Sequence, residues 1–249
     1  MAHHCTNETD AYGNTRELSP AATTISADIS DFLLSPAEFL ATRPDVHNLV
    51  AGAMVFRSTP DSSSSSSSVE TLLLRRAPSD SFPLKWEIPA GTADPSLDDS
   101  IIGVAVRELW EETHLRPQTV FHTVGLGLPK DVTNLALIGE AEDARMDSDL
   151  DICLLRVSGL TWAIVTFLTD IEDEEAEVIL REDEHVESAW VTETEVQKQF
   201  YSGTGQSLDF VSEAMRMTVL EGFRLRKDLK QQSIHKNLGK TLQYCYVPK

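Results

Sequence analysis

Short runs of apolar residues along the chain predict a series of buried strands. The first run, at 47–56, has the sequence HNLVAGAMVF, and a second follows at 69–75. Runs of this length, bounded by polar or turn-forming residues, are typical of strands in a packed core. The same criterion predicts further strands at 86–88, 118–126, 151–157, 162–170 and 187–191.

Apolar residues that recur every three or four positions predict helices elsewhere in the chain. The predicted helices are 36–43, 97–113, 192–200 and 207–230. Thr192 followed by Glu195 has the spacing of a capping box, which supports a helix start there. Strands on both sides of a central helix, followed by C-terminal helices, predict one mixed α/β domain over residues 45–230.

Polar and low-complexity stretches flank or interrupt this domain. Residues 1–30 are polar and aperiodic, so we expect 1–44 to form an N-terminal arm that is partly disordered. Asp61 is followed by seven serines, which bury almost nothing, so 61–68 is expected to form a flexible loop between two paired strands. Residues 231–249 are expected to form a C-terminal tail.

The composition limits the location and partners of the protein. With 40 acidic against 21 basic side chains and a formal net charge of -19, the chain repels phosphate backbones, which disfavours general nucleic-acid binding. We expect no membrane span, because no run of 18 apolar residues occurs, and no secretory signal. Three widely spaced cysteines suit a reducing compartment, so we expect a cytoplasmic location, with the nucleus as an alternative.

Candidate chemistry is concentrated at residues 86–115, WEIPAGTADPSLDDSIIGVAVRELWEETHL. On a helical wheel, the second half of this segment has an apolar arc and a separate acidic arc. The apolar arc comprises Ile102, Ala105, Val106 and Leu109, and the acidic arc comprises Glu108, Glu111 and Glu112. The apolar arc is expected to face a sheet, which leaves the carboxylates together on another side.

Carboxylates that share a helix face repel one another, because residues three or four apart are surface neighbours. Two unit charges in contact repel by about 4 kcal/mol at an effective dielectric near 20, and Arg107 offsets only part of this. Acidic helix turns are also common as solvated surfaces. However, Pro89-Ala90-Gly91 predicts a tight turn with an exposed backbone carbonyl nearby. Together these features favour a site for Mg²⁺ or Mn²⁺ with oxygen ligands.

These residues resemble the Nudix box, in which a Gly and a spaced acid precede Arg-Glu-aliphatic-x-Glu-Glu-x-Gly-aliphatic. The matching residues are Gly91, the run Arg107-Glu108-Leu109-Trp110-Glu111-Glu112, and Leu115. The resemblance extends over roughly residues 47–200. It implies a Nudix-type α/β/α sandwich with a mixed sheet, extended here at both termini. It also implies Mg²⁺- or Mn²⁺-dependent hydrolysis of a small organic diphosphate, with a nucleoside diphosphate derivative as the first choice.

The segment departs from the family pattern in its first loop and at the helix end. Seven residues separate Gly91 from Asp99, where the family has five, and Asp99 replaces a Glu. His114 occupies the position of the second Gly of the box. A left-handed conformation is expected just past the helix end, and His tolerates it better than a β-branched residue would. We therefore interpret His114 as a helix cap.

The resemblance implies roles for the residues of the box. Glu108, Glu111 and Glu112 would bind the metal, together with the carbonyl of Ala90. Arg107 would pair with a neighbouring carboxylate and hold it in place. The metal would polarise the phosphoryl oxygens and activate a water molecule that attacks phosphorus.

The general base is open between the box and a later loop. Glu184, and less favourably Glu182, precedes the predicted strand 187–191, where the resemblance places a mobile acid. Glu111 is the alternative within the box. An acidic loop is also often merely solvated, so both assignments stay open here.

Candidate substrate contacts lie on the second and third predicted strands and between them. They are Arg75, Arg76, Glu87 and Phe82. The arginines are the best candidates for binding phosphate, although one of them is expected to be structural. Trp86 is expected to pack in the core, and His185 is interpreted as a hydrogen-bonded loop residue rather than a metal ligand.

Other functions are compatible with the same fold. An isoprenyl or terpenoid diphosphate would use the same metal chemistry, but the related isomerase needs a cysteine in the pocket, and Cys153 lies in a strand without matching context. A non-catalytic binding module usually lacks box glutamates, and this chain keeps all three. The long C-terminal helix leaves a homodimer open. The substrate itself is not determined by these motifs.

Overall fold

The strands and helices below come from a computed structural model, which describes residues 7–9, 15–17, 23–60, 67–129, 145–147, 149–235 and 244–246. The strands are β1 (Asn7–Thr9), β2 (Thr15–Glu17), β3 (Thr23–Ile25), β4 (Asn48–Pro60), β5 (Ser67–Arg76), β6 (Trp86–Glu87), β7 (Ala90–Thr92), β8 (Pro117–Thr123), β9 (Arg145–Asp147), β10 (Ile152–Val157), β11 (Leu160–Ile171), β12 (His185–Thr192), β13 (Phe200–Tyr201), β14 (Gln206–Ser207) and β15 (Tyr244–Tyr246). The helices are α1 (Pro36–Ala41), α2 (Ile101–Thr113), α3 (Glu193–Lys198) and α4 (Glu213–His235), with a 3₁₀ segment at Ala27–Leu33.

The largest sheet is mixed and has the strand order β12-β5-β4-β11-β8-β3-β15. β4 and β11 are parallel, as are β3 and β8, whereas β5 runs antiparallel to both β4 and β12. Two short strands, β6 and β7, attach to β5 and β4 and lead the chain towards α2. The beginning of α2 is thereby placed next to the middle of the sheet.

Alternating residues of the central strands enter two separate cores, because successive side chains of a strand point to opposite faces. In β4, Val55 belongs to the core beneath α2, whereas Met54 belongs to the core beneath α3 and α4. Leu109 of α2 lies in the first core and Phe223 of α4 in the second. Helices therefore cover both faces of the sheet, and the predicted α/β/α sandwich is confirmed.

The predicted central helix begins later than expected, at Ile101 instead of residue 97. Ser100 caps the helix, and its hydroxyl accepts a hydrogen bond from the N–H of Gly103 at 3.0 Å. Serine at this position satisfies one of the amide groups that the first helical turn leaves without a partner. At the start of α3, Thr192 and Glu195 form the predicted capping box.

The last long helix begins at Glu213, six residues after the predicted start at 207. Residues 208–211 instead run beside β6. Trp86 donates its N–H to the Asp209 carbonyl at 2.8 Å, and Val211 donates to the Trp86 carbonyl at 3.0 Å. Because these backbone groups are engaged with a strand, they do not form helical bonds. Leu208 is still buried, so the apolar stripe there reflects packing and not a helix.

Part of the expected N-terminal arm packs against the sheet. Ile25, Ile29 and Phe32 are buried in the core beneath α2, and the ring of Phe32 meets Phe167 edge-on at 5.2 Å. Burying side chains of this size stabilises a fold by about 1.5–3 kcal/mol each. Residues 23–44 thus contribute to the core. Of the predicted serine loop, Ser67 and Ser68 lie in β5, and 61–66 lie outside the described residues.

The C-terminal helix packs on its own domain. Val219 and Phe223 are buried in the second core. Basic side chains near its end pair within the chain: Arg226 with Asp170 at 2.6 Å, and Lys227 with Glu193. Among the described helices, none combines the length and hydrophobicity that crossing a bilayer requires.

Candidate active site

The turn after β6 brings backbone against the carboxylates of α2. In β7, Gly91 pairs with Ala51 of β4, and the N–H of Ala53 donates to the Pro89 carbonyl at 2.9 Å. A Cβ atom on Gly91 would overlap the carboxylate of Glu108. A larger residue at this position would therefore displace the Glu108 carboxylate, because the helix and the turn approach so closely.

Two acids of α2 are buried in a helix that is otherwise apolar on its inner side. Glu108 is 7% exposed and Glu112 is 3% exposed, whereas Glu111 remains partly exposed. Buried carboxylates are uncommon unless a partner compensates their charge. All three glutamates line the same cleft, together with Ala90. The acidic arc expected from the helical wheel is thus brought together next to the turn.

The environment of the Glu108 and Glu112 carboxyls disfavours their ionised form when no cation is bound. Burial raises the pKa of Glu112 well above its usual value, and the nearby acids Glu87 and Glu108 raise it further. The N–H of Ala90 acts in the opposite direction, since it donates to Glu112 Oε2 at 3.0 Å. Burial also raises the pKa of Glu108, although Arg107 opposes the shift. A divalent cation would compensate this accumulated charge.

Arg107 connects three carboxylates. Its Nε and Nη2 atoms donate to the two oxygens of Asp98 at 2.9 and 3.0 Å, and its Nη1 contacts Glu108 at 2.7 Å and Glu111 at 3.3 Å. The hydrogen bond to Asp98 is the largest factor that raises the pKa of Arg107. The acid in this bidentate pair is the buried Asp98, whereas Asp99, which spacing matches to the acid of the box, is exposed.

His114 ends α2 in the left-handed region, as predicted, with φ 56° and ψ 15°. Its N–H donates to the Trp110 carbonyl at 2.8 Å, and the two rings lie 5.0 Å apart. Its Nδ1 atom lies 3.1 Å from the Ile179 carbonyl oxygen. All of these contacts are structural, which agrees with a helix cap.

The loop before β12 carries a second acid into the cleft. Glu184 lines the cleft and pairs with Arg181 at 3.2 Å, and the same arginine reaches Glu111 at 3.6 Å. Glu182 is exposed. The structure therefore brings Glu184 towards the glutamates of α2. Arg181 was not identified from the sequence, because a single arginine in an acidic loop has no distinctive pattern.

His185 is the first residue of β12 and is buried at 2% exposure, so its interpretation as a loop residue is wrong. Its Nε2 atom lies 3.3 Å from Glu87 Oε1, and its Nδ1 atom lies 3.9 Å from Glu112 Oε1. Nδ1 has no hydrogen-bond partner within the described parts of the chain. Three ligand atoms lie within 4.8 Å of one another, one each from Glu112, Glu184 and His185. This donor set fits a divalent cation.

The two adjacent arginines of β5 have different surroundings. Arg76 lines the cleft, where it pairs with Glu87 and with Asp80, the latter at 2.5 Å. Arg75 pairs instead with Glu187 at 3.0 Å and packs near the ring of Trp86. The expectation that one arginine is structural therefore applies to Arg75. Trp86 itself is buried in the core, as predicted.

The cleft has a volume of about 1030 Å³ and extends from the glutamates to an apolar wall. The wall is formed by β10, β11 and the first turn of α4, and its main members are Cys153, Leu155, Trp162, Ile164 and Met215. Phe82, 55% exposed, also lines the cleft. This wall was not predicted from the sequence, because its strands have the pattern of ordinary core strands. The sequence also suggested no role for Cys153, whereas in the structure its side chain lies in the wall.

The chain belongs to the NUDIX domain family, since the family model matches residues 50–210. With the sheet sandwich and all three glutamates of the box in place, it is a Nudix pyrophosphohydrolase. A search of curated protein sequences found no match to the chain.

Several solved structures are similar in fold. The NUDIX domain of Shewanella oneidensis NrtR complexed with ADP ribose is 17% identical, with 78% of this chain and 99% of that chain covered and a TM-score of 0.46. A C. elegans Ap4A hydrolase binary complex is 18% identical, covering 73% and 98% with a TM-score of 0.43. The Nudix hydrolase RenU from M. smegmatis is 18% identical, covering 77% and 89% with a TM-score of 0.42.

Proposed function

We propose that this chain hydrolyses the diphosphate linkage of a small organic diphosphate, and that the substrate is a nucleoside diphosphate derivative bound with Mg²⁺ or Mn²⁺. The observation that carries the proposal is the burial of Glu108 and Glu112 against the turn at Gly91, at the end of an open cleft. Buried acids in this arrangement are disfavoured on their own and favoured beside a cation.

The ligands proposed for the cation are Glu108, Glu111, Glu112 and the carbonyl oxygen of Ala90. When bound, the cation would act as a Lewis acid on the phosphoryl oxygens and lower the pKa of a bound water. Arg107 holds the carboxylates of Glu108 and Glu111 in place through its Nη1 atom.

The proton of the attacking water passes to a carboxylate oxygen of Glu184 or of Glu111. Both acids line the cleft and are only partly buried, so each can exchange a proton with solvent. Arg181 contacts both carboxylates and keeps them near one another. Activity of Glu184→Gln compared with Glu111→Gln assigns the base.

The organic part of the substrate is proposed to lie against the apolar wall. Trp162 and Met215 offer a broad apolar surface, and the Trp162 Nε1–H is buried without a hydrogen-bond partner among the described residues. An indole N–H next to an apolar surface suits a nucleobase, which presents a flat ring with acceptor atoms at its edge. Phe82, which also lines the cleft, is proposed to contact the organic part of the substrate.

An isoprenyl diphosphate is the second candidate, and the same wall supports it. The wall contains the apolar side chains of Leu155, Ile164 and Met215, and Cys153 also lies in it. An alkyl chain would bury this surface without using the Trp162 donor. The substrate screen below separates the two candidates by the organic product that is released.

The proposal is tested with a panel of nucleoside diphosphate sugars, dinucleoside polyphosphates, oxidised nucleotides and isoprenyl diphosphates. The purified chain is incubated with Mg²⁺ or Mn²⁺, and the phosphate and organic products are identified by mass spectrometry. We expect turnover of a nucleoside diphosphate derivative, and no turnover when EDTA is present. Turnover that persists in EDTA, or no turnover of any compound with either ion, would contradict the proposal.

A further inference from the structure

His185 occupies a buried position between two carboxylates at the inner end of the cleft. It starts β12, while Glu87 lies on β6 and Glu112 on α2, so three separate elements meet at this ring. The ring is 2% exposed. A buried imidazole normally satisfies both ring nitrogens, and among the described residues only one nitrogen of His185 has a partner.

The contact with Glu87 determines which nitrogen carries the proton. An ionised carboxylate only accepts hydrogen bonds, so His185 Nε2 donates to Glu87 Oε1 across 3.3 Å. Glu87 is in turn held by the guanidinium of Arg76. In the neutral imidazole, the lone pair then lies on Nδ1. A carboxylate on one ring nitrogen and a free lone pair on the other is the arrangement by which proteins orient histidines that bind metals.

The free nitrogen points towards the acids of the proposed active site. Nδ1 lies 3.9 Å from Glu112 Oε1, which is too long for a hydrogen bond but suits two atoms that share an ion. Glu184 supplies a further oxygen, and the three ligand atoms lie within 4.8 Å of one another. Ligands bound to one ion at about 2.0–2.2 Å are separated by distances of this order.

We propose that His185 Nδ1 is a metal ligand, and that together with Glu112 and Glu184 it forms a site that prefers a divalent transition-metal ion such as Mn²⁺ over Mg²⁺. Mg²⁺ takes oxygen ligands in near-ideal octahedral geometry and gives up its water reluctantly, so an imidazole is a poor ligand for it. Mn²⁺ also accepts oxygen ligands, but as a first-row transition-metal ion it binds an imidazole nitrogen more readily than Mg²⁺ does. Glu87 and Arg76 act as positioning residues for the ring. The inference rests on the proposed function, since Glu112 is shared between the two sites. With Glu184 engaged as a ligand, Glu111 is the carboxylate that accepts the proton of the attacking water.

Pulsed electron paramagnetic resonance of Mn²⁺ bound to the full chain tests this directly. His3 and His4 are first replaced by Gln, because adjacent histidines can bind ions on their own. A directly coordinated nitrogen modulates the Mn²⁺ echo, and labelling histidine with ¹⁵N changes the modulation frequency. We expect modulation from one histidine nitrogen in this background.

The variant His185→Gln keeps a donor for Glu87 and removes the nitrogen ligand. We expect it to lose the modulation and to bind Mn²⁺ about 10-fold more weakly, while Mg²⁺ affinity changes less than about threefold. The matched control His122→Gln removes a half-buried ring whose Nδ1 contacts the Thr123 carbonyl, and it should keep the signal. Circular dichroism verifies folding. If His185→Gln does not fold, a variant in which every histidine except His185 is replaced is measured instead. Nitrogen modulation that is retained in this variant comes from His185.

The outcomes separate this inference from the proposed function. Modulation that disappears with His185 supports the nitrogen ligand. Mn²⁺ that binds and supports hydrolysis without nitrogen modulation, or modulation that survives in His185→Gln, overturns the inference and leaves the hydrolase intact. If neither ion binds and no substrate is hydrolysed, the proposed function fails and the inference fails with it.

Discussion

At the residue scale, Glu112, a proposed ligand of the cation, occupies a position that disfavours its charge in the metal-free protein. It is 3% exposed, and the Ala90 N–H is a hydrogen-bond donor to it, while Glu87 and Glu108 add negative charge nearby. A buried charge that lacks sufficient compensation destabilises the folded state. Function and stability therefore place opposite demands on this side chain.

Replacing Glu112 with Gln should separate these two demands. We expect turnover to fall by at least about 100-fold, because the substitution removes a proposed ligand of the cation. In EDTA, the same variant should have a higher free energy of unfolding than the wild type, since a buried charge is removed and the contact with Ala90 is retained. Steady-state kinetics and urea unfolding measure the two effects.

The matched control is Glu182→Gln, which changes an exposed acid of the loop before β12. It should leave both activity and stability close to wild type. Wild-type turnover in Glu112→Gln would show that the metal assignment is wrong, and a loss of stability in EDTA would show that its charge is better compensated than the geometry indicates.

At the scale of elements, α2 depends on how it ends. His114 adopts φ 56°, a conformation that costs a residue with a Cβ atom about 1 kcal/mol or more. The helix must stop there, because the chain turns into β8 within three residues and the Ile179 carbonyl lies against the histidine ring. This cap holds the C-terminal end of the helix, and the box glutamates lie in the second half of that helix.

At His114, glycine should stabilise the protein more than alanine does, which is the reverse of their order in a helix interior. We expect His114→Gly to unfold with a free energy about 1 kcal/mol higher than His114→Ala, because only glycine adopts the left-handed conformation without strain. In a helix interior the order is reversed. Thermal unfolding of the two variants in parallel measures the difference. Equal stability would mean that the cap relaxes in solution, and neither variant should change the metal affinity appreciably.

At the scale of the whole molecule, the proposed cation joins elements that are distant in sequence. Glu108, Glu111 and Glu112 come from α2 and Ala90 comes from β7, and the ion inferred at His185 would add the loop before β12 through Glu184. An ion that binds only the folded arrangement stabilises the domain by mass action, by about 2.7 kcal/mol at a concentration 100 times its dissociation constant. For a chain of this size, that corresponds to roughly 5–11 °C in melting temperature.

The stability of the metal-free protein should fall as the pH rises. The pKa values of Glu112 and Glu108 are raised in the folded state above their ordinary value of 4.5. The folded state thus binds protons more tightly, and this contribution is fully present below the ordinary value and lost as the pH passes through the raised values. Added Mg²⁺ should oppose the loss, since it binds the ionised carboxylates.

Differential scanning calorimetry between pH 5 and 8, in EDTA and in Mg²⁺, measures this dependence. Other titrating groups also contribute, so the informative quantity is the difference between the wild type and Glu112→Gln. The wild type should lose more stability with rising pH in EDTA. Identical pH dependence of the two proteins would argue against a raised pKa at Glu112.

Several features of the fold and site follow from local pattern alone. Most of the predicted strands reappear with shifted ends, and the spacing of Glu108, Glu111 and Glu112 places them on one helix side because helix geometry is local. The capping box at Thr192 and the left-handed His114 are equally local, since each depends on neighbours within four residues. The sequence by itself therefore determined the helix, its C-terminal end and the acidic arc, whereas its predicted start at residue 97 was wrong.

Only the tertiary structure decided which distant groups surround that arc. Arg107 pairs with Asp98, which the loop conformation buries, whereas the neighbouring Asp99, which spacing had matched to the acid of the box, is exposed. His185 and Trp162 reach the cleft through strand register, in which a shift of one residue would send each side chain to the opposite face. Local spacing does not encode such contacts, because they depend on how separate strands and helices pack together.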